Sequence, residues 1–297
     1  MKDGGSSLDA KSPQAAKIGK VIALERDGAQ SIDRAMMLLK LVSAHNRSGI
    51  TLSGLVAQCA LKQPTVHRLL GALSRAGLIE QDRDSKRYYL GYESYILGTL
   101  AVERFGMHRL AVGSVARLAH LSEDTAFLTI RRGNYSICMH REEGTYPIRA
   151  QVLSVGDRHP LGVGAGSIAL LAALDDEEIE QVLAANAQSY QEHYRTISPD
   201  TLRELVRETR ARGFSTHRGL VHPGSWAIGM VVHDEAGQPS AALSIGAIES
   251  RMGEERQRQL VLLLQDEVRK IEAQLGQRLR GRAAATNGAR GRHSAFA

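Results

Sequence analysis

Gln63, Thr65, His67 and Arg68 lie in the run QPTVHRLLGALSRAG, with Lys62 immediately before it. An amide, a hydroxyl, an imidazole and a guanidinium at the start and on one polar face of a helix can hydrogen-bond base edges and phosphates. They do so when that helix lies in a DNA major groove. Arg83, Lys86 and Arg87 follow in a charged hairpin, where they are placed to reach the flanking backbone or the minor groove. Arg34, near the start of an earlier helix, adds a candidate phosphate contact. The alternative is a three-helix interaction module with a solvated basic face, because a shape does not dictate a function.

Other residue sets that could do chemistry fail on spacing. The run GVGAGS, residues 162–167, lacks the GxGxxG interval, follows His-Pro-Leu and belongs to no βαβ unit, which excludes a dinucleotide site. No HExxH, GxSxG or phosphate-binding P-loop occurs. His217, His222 and His233 fall in a turn-rich stretch and a strand without metal-ligand spacing, and Cys59 and Cys138 form no CxxC pair. Asp175, Asp176, Glu177 and Glu178 read as a helix start, where acids complement the dipole. The expectation is a protein that is not an enzyme, with no cofactor and no metal.

The elements that must position these side chains follow from periodicity. In SIDRAMMLLKLVSAHNRSG, Ile32, Ala35, Met36, Leu38, Leu39 and Val42 recur at helical spacing, with Ser31 as the expected cap. Thr51 caps a short second helix, Pro64 opens the third, and Gly77 stops it. Two strand-like runs, LIEQ and KRYYLG, flank the turn DRDS, so helix, helix, helix, hairpin is the order of a winged helix-turn-helix. The amphipathic segment YESYILGTLAVERFG then reads as a connecting helix, which either pairs with its copy in a dimer or packs on its own chain.

Beyond it, strand-like runs at TAFLTIRRG, YSICMHREEG, IRAQVLSVG, AIGMVVHDEAG and SAALSIGAI alternate with helices, two of them capped by Asp175 and Ser198. This is an α+β domain on a largely antiparallel sheet. The expected boundaries are a disordered tail over residues 1–29, the winged helix-turn-helix over 30–91, a linker helix over 92–106, the second domain over 107–277, and a basic disordered tail over 278–297.

Charge separates along the same lines. The chain of 297 residues carries a net +6, yet residues 31–92 hold nine Lys/Arg against four Asp/Glu, and residues 276–297 hold five Arg and no acid. Residues 93–275 hold nineteen basic against twenty-four acidic side chains. A basic module on an acidic body suits a polyanion partner. No apolar run of eighteen residues and no apolar leader is present, so the expected location is cytoplasmic with no membrane partner.

Three motifs in order, TVHRLLGALSRAGLIE with YYLG, then GDRHPLGVGAGSIALLAAL, then SAALSIGAIESRM, resemble the IclR family of bacterial transcriptional regulators over residues 30–277. The resemblance implies a GAF-like effector-binding domain behind the winged helix, and a homodimer or homotetramer. It further implies that a small organic acid changes affinity for a roughly palindromic operator in double-stranded DNA, with RNA polymerase as a further candidate partner. It carries the ligand loop onto Gly164, Ala165 and Gly166, where successive backbone N–H groups at a helix start would hold an anion without a charged side chain. It places Ser244 facing the ligand, and His217, Ser225 and Ala227 at further pocket positions.

Here the chain departs from the family: His217 stands where some members have an acid, and Trp226 lies nearby. Trp226 either favours an aromatic or longer acid or packs in the domain core. The competing class is a small-molecule-binding protein or enzyme that uses its helix-turn-helix only to dimerise.

Overall fold

The apolar stripe of the third helix explains the first unit. The helices are α1 (Gln30–Ala44), α2 (Leu52–Gln58) and α3 (Gln63–Arg75), followed by the hairpin strands β1 (Ile79–Gln81) and β2 (Tyr88–Leu90) and by α4 (Tyr92–Val102). This computed structural model describes residues 30–102, 106–148 and 153–293, with side chains through Gln277; the disordered tail expected over residues 1–29 lies outside them. Contacts divide the chain into two units, Met1–Arg104 and Phe105–Ala297.

Val66, Leu69, Leu70 and Leu73 of α3 are buried against Leu38, Leu41 and Val42 of α1, Leu55 of α2, and Ile79 and Tyr88 of the hairpin. Each such side chain contributes about 1.5–3 kcal/mol by leaving water. Turning that stripe inward leaves the opposite face of α3 to solvent.

Thr51 caps α2 by accepting from the Gly54 N–H, Pro64 lies in the first turn of α3, and Gly77 follows α3 at φ +70°. Ser31 does not cap α1, because the helix already includes Gln30. The wing is pinned to the α1–α2 connection. Arg87 donates to the Gly49 carbonyl at 2.9 Å, and the Leu90 N–H donates to Asn46 Oδ1 at 2.7 Å. Gly49, at φ +68°, is required there, since a Cβ would lie 2.5 Å from the Tyr89 ring. Helix α4 leaves Tyr92, Tyr95, Leu97 and Leu100 exposed.

The second unit is built on one antiparallel sheet of six strands, ordered β5-β4-β3-β8-β7-β6. These are β3 (Thr125–Arg132), β4 (Tyr135–Glu142), β5 (Arg158–Pro160), β6 (Ser215–Arg218), β7 (Ser225–His233) and β8 (Pro239–Ile248). Helices α5 (Met107–Ser122) and α9 (Glu254–His293) cover one face, where Val115, Leu118, Leu260 and Leu264 meet Leu128, Ile228, Leu243 and Ile245. Helices α6 (Ala165–Ala172), α7 (Asp176–His193) and α8 (Pro199–Arg212) build a second core around Leu161, Leu170, Leu183 and Leu202. Asp175 caps α7 and Ser198 caps α8 through the Glu178 and Thr201 N–H groups, and Gly213 ends α8 at φ +77°.

Three sequence expectations need correction. The strand expected at IRAQVLSVG is not formed in its described part, residues 153–156, and the pairing with β4 is made by Arg158–Pro160 instead. Strand β6 went unread because its four residues follow the Gly213 stop with little alternation to mark them. The segment from residue 278, expected as a disordered tail, continues α9 as helix to His293. Its arginines and its run of alanines are strong helix formers.

Candidate functional site

The second unit contains a cavity to which every strand of the sheet contributes. Its lining includes Phe127 and Thr129 of β3, Ser136 and Cys138 of β4, His159 of β5, His217 of β6, Ser225 and Ala227 of β7, and Ser244 of β8. Where a strand supplies two, they are two residues apart, because alternate side chains of a strand share a face. The start of α6, from Val163 to Ser167, forms the facing wall, with Leu153, Val221 and His222 from loops. The space amounts to about 650 Å³, counted with the opening at its mouth.

Close backbone packing sets the α6 start against the sheet. A Cβ on Gly229 would lie 2.7 Å from the Ala165 carbonyl carbon, so only glycine lets β7 approach this closely. The Ser215 hydroxyl donates to the Ala165 carbonyl at 2.7 Å, and Ser167 Oγ accepts from the Gly162 N–H at 2.8 Å. Gly164, the residue before the helix, has φ +90°. A Cβ on Gly166 would meet Thr129 Oγ1 at 3.1 Å and Ser244 Oγ at 3.4 Å, which places both hydroxyls beside the helix start. Among the described residues the N–H groups of Gly164, Ala165, Gly166 and Ser167 take part in no hydrogen bond. These are the donors that a helix leaves open at its first turn, where the dipole favours an anion.

Away from that turn the cavity is neutral. No Lys, Arg, Asp or Glu among the described residues lines it. Burial, with a smaller effect from His222, lowers the imidazoles of both His159 and His217 to about 4. Both are therefore uncharged near pH 7. His159 Nδ1 lies 2.7 Å from the Tyr194 hydroxyl, whereas Nε2 of His159 and Nε2 of His217 are buried without a hydrogen-bond partner. Burial pushes the Cys138 thiol up to about 12, which keeps it protonated and unreactive. The described residues contain no group of three His, Cys, Asp or Glu able to hold a metal ion, and His233 is turned to Glu272 instead.

All seven residues read from the sequence as pocket candidates, Gly164, Ala165, Gly166, His217, Ser225, Ala227 and Ser244, line this one cavity. Trp226 does not. It alternates with Ser225 and Ala227, so its ring turns to the opposite core, with the Arg218 guanidinium 5.5 Å from it. The reading of Trp226 as a wall favouring an aromatic acid is thereby withdrawn. Sequence reading missed Thr129, Cys138, His159 and His222. The only signal for the first two was the two-residue alternation of β3 and β4, and His159 lay unused inside the quoted GDRHPLGVGAGS.

In the first unit, Lys62, Gln63, His67 and Arg68 are exposed at the start of α3 and Thr65 is half-buried. Arg83 and Lys86 are exposed in the wing, whose turn is held by Asp82 Oδ1 accepting from both the N–H and the hydroxyl of Ser85. The side chains of Lys62, Gln63, His67, Arg68 and Arg83 make no hydrogen bond or ion pair with described residues. Two candidates behave differently. Arg87 is committed to the Gly49 carbonyl, and Arg34 is half-buried with Nε lacking a partner.

Comparison with known proteins covers both units. A model of the bacterial transcriptional regulator IclR C-terminal domain matches residues 99–273, and a model of the IclR helix-turn-helix domain matches residues 31–83. The HTH-type transcriptional regulator KdgR of Escherichia coli is 26% identical over 250 residues, covering 84% of this chain and 94% of that protein. The glycerol operon regulatory protein of Streptomyces coelicolor is 30% identical over 252 residues, covering 83% and 96%. Among solved structures, an IclR transcriptional regulator from Alicyclobacillus acidocaldarius superposes with a TM-score of 0.71 at 24% identity, covering 83% of this chain and 98% of that one.

Proposed function

The chain belongs to the IclR family of bacterial transcriptional regulators, and from that premise we propose that its cavity binds a small organic acid that changes operator affinity. The observation that carries this reading is the set of open N–H groups at Gly164, Ala165 and Gly166, beside the Ser244 hydroxyl, in an otherwise neutral cavity. A carboxylate there would satisfy donors that the fold leaves unpaired, and the helix dipole would favour its charge.

DNA contact is assigned to Lys62, Gln63, Thr65, His67 and Arg68 on α3, with Arg83 and Lys86 reaching phosphates from the wing. Arg87 and Arg34 have lesser parts, since the first also holds the wing in place. The winged helix over residues 30–91 and the effector domain over 107–277 are joined through the connecting helix. The exposed apolar side chains of α4 support association of two copies, which would read half-sites about one helical turn apart or a multiple of it. The acid acts only through unequal affinity for two arrangements of those copies.

The test is selection of duplex DNA from a random pool, followed by anisotropy titration of the enriched sequence with and without candidate acids. A palindrome whose affinity shifts with an acid supports the reading. A palindrome indifferent to every acid that binds the protein contradicts it.

A further inference from the structure

Resting on the acid-binding reading of the cavity, we propose that the effector carries, besides its carboxylate, an uncharged hydroxyl that seats against His159 and His217. The ligand class is a hydroxy monocarboxylic acid rather than a dicarboxylic acid.

His159 and His217 come from β5 and β6, strands at opposite edges of the sheet, yet both line the cavity and both interact electrostatically with His222. His159 is 5% exposed and His217 6% exposed, and neither Nε2 has a partner. A buried ring nitrogen left unpaired is costly, so such a pair in a ligand cavity points to a polar group of the ligand.

The hydrogen-bond network defines what that group must do. Burial raises the Tyr194 phenol to about 12, so it keeps its proton. Its hydroxyl has the His159 Nδ1 as its recorded partner, at 2.7 Å. With Tyr194 donating to Nδ1, the neutral His159 ring carries its hydrogen on Nε2 and offers a donor. His217 Nε2 is a donor or an acceptor according to its tautomer. A hydroxyl both accepts and donates, and so meets either arrangement. A second carboxylate would bring a buried charge to a wall whose described lining has no Lys or Arg, and burial opposes protonating the histidines to receive it. Phe127, Leu153, Val163 and Val221 line the cavity as its apolar part, which suits a hydrocarbon skeleton carrying the two polar groups.

Calorimetric titration of the full chain with two matched series tests this. One series is hexanoate, 6-hydroxyhexanoate and adipate; the other is 3-phenylpropionate, 3-(4-hydroxyphenyl)propionate and 3-(4-carboxyphenyl)propionate. In a series that binds, the hydroxy member is expected to bind about tenfold more tightly than its parent and its diacid, the scale of one well-made hydrogen bond. In His159→Phe, that ratio is expected to fall to about twofold or less. His217→Phe serves as the second variant, should loss of the Tyr194 bond prevent His159→Phe from folding. A parent or diacid that binds as tightly as the hydroxy acid overturns the proposal while leaving the acid site standing, as does a ratio unchanged in a folded variant. Binding by none of the six acids removes the acid-binding reading and this proposal with it.

Discussion

The α3 face and the cavity are both sets of polar groups left without partners, and they differ in solvent. On α3, Lys62, Gln63, His67 and Arg68 are exposed, so water satisfies them until DNA does. In the cavity, the N–H groups of the α6 start and the Nε2 atoms of His159 and His217 stand in a neutral surrounding. A charged side chain in water gains little from any one contact and works by number, through released counterions and salt-dependent affinity. A buried group gains more from a single well-placed partner, because the alternative is an unmet hydrogen bond. Polyanion binding is thus spread over many side chains of one unit, and recognition of a small molecule is concentrated in a few atoms of the other.

Acid should break the comparison most strongly. His159 and His217 have folded values near 4, below the ordinary 6.5, so the unfolded chain takes up protons that the native state refuses. Their contribution is intact above pH 6.5, falls as pH drops, and is fully lost near pH 4, at up to about 3 kcal/mol per histidine. Glu267, lowered to about 2 by Arg117 and Lys270 against the effect of burial, loses its contribution only below 4.5. Asp157, raised by burial, works in the opposite sense near the acid end. Denaturant titrations from pH 7 to 4 should therefore show a declining stability that flattens in the doubly substituted His159→Phe, His217→Phe protein. A slope unchanged by the substitutions would refute buried neutral histidines.

Ala165→Leu sharpens the contrast from the other side. Its added bulk at the α6 start should cost about a hundredfold in acid affinity, about 3 kcal/mol, while operator affinity without ligand stays within twofold. Calorimetry and anisotropy on the same preparation check the two halves. Normal acid binding in this variant would remove the helix start from the site.

The smallest effects belong to the surface. Arg68→Ala should weaken operator binding by about tenfold or more if it reads a base. Arg83→Ala should weaken specific and non-specific DNA about equally and reduce the salt slope by about one. Anisotropy titrations at several salt concentrations separate them. Equal behaviour of the two variants would mean that α3 and the wing contact only backbone.

The first unit was legible because its determinants are local. Thr51, Pro64 and Gly77 mark helix ends within a few residues, and the α3 stripe is visible at helical spacing. The cavity was legible only where a quoted motif covered it, as with Gly164, Ala165, Gly166 and Ser244. His159 and His222 are unremarkable in sequence, being separated by 63 positions and brought together by strands at the two edges of one sheet. Trp226 was misplaced for a related reason. Proximity in sequence to Ser225 and Ala227 put it near the pocket, and strand alternation turned it away. Arg87 was assigned by charge alone, which gave no sign of its bond to the Gly49 carbonyl.

The close approach of Gly229 to the Ala165 carbonyl makes the anion-holding end of the cavity a property of main chain. Main-chain donors survive substitution of the side chains around them, so the opposite wall is free to change during descent while the carboxylate end persists. A lineage carrying this fold can exchange one metabolic signal for another by replacing two or three residues at that wall, with the helix start inherited unaltered.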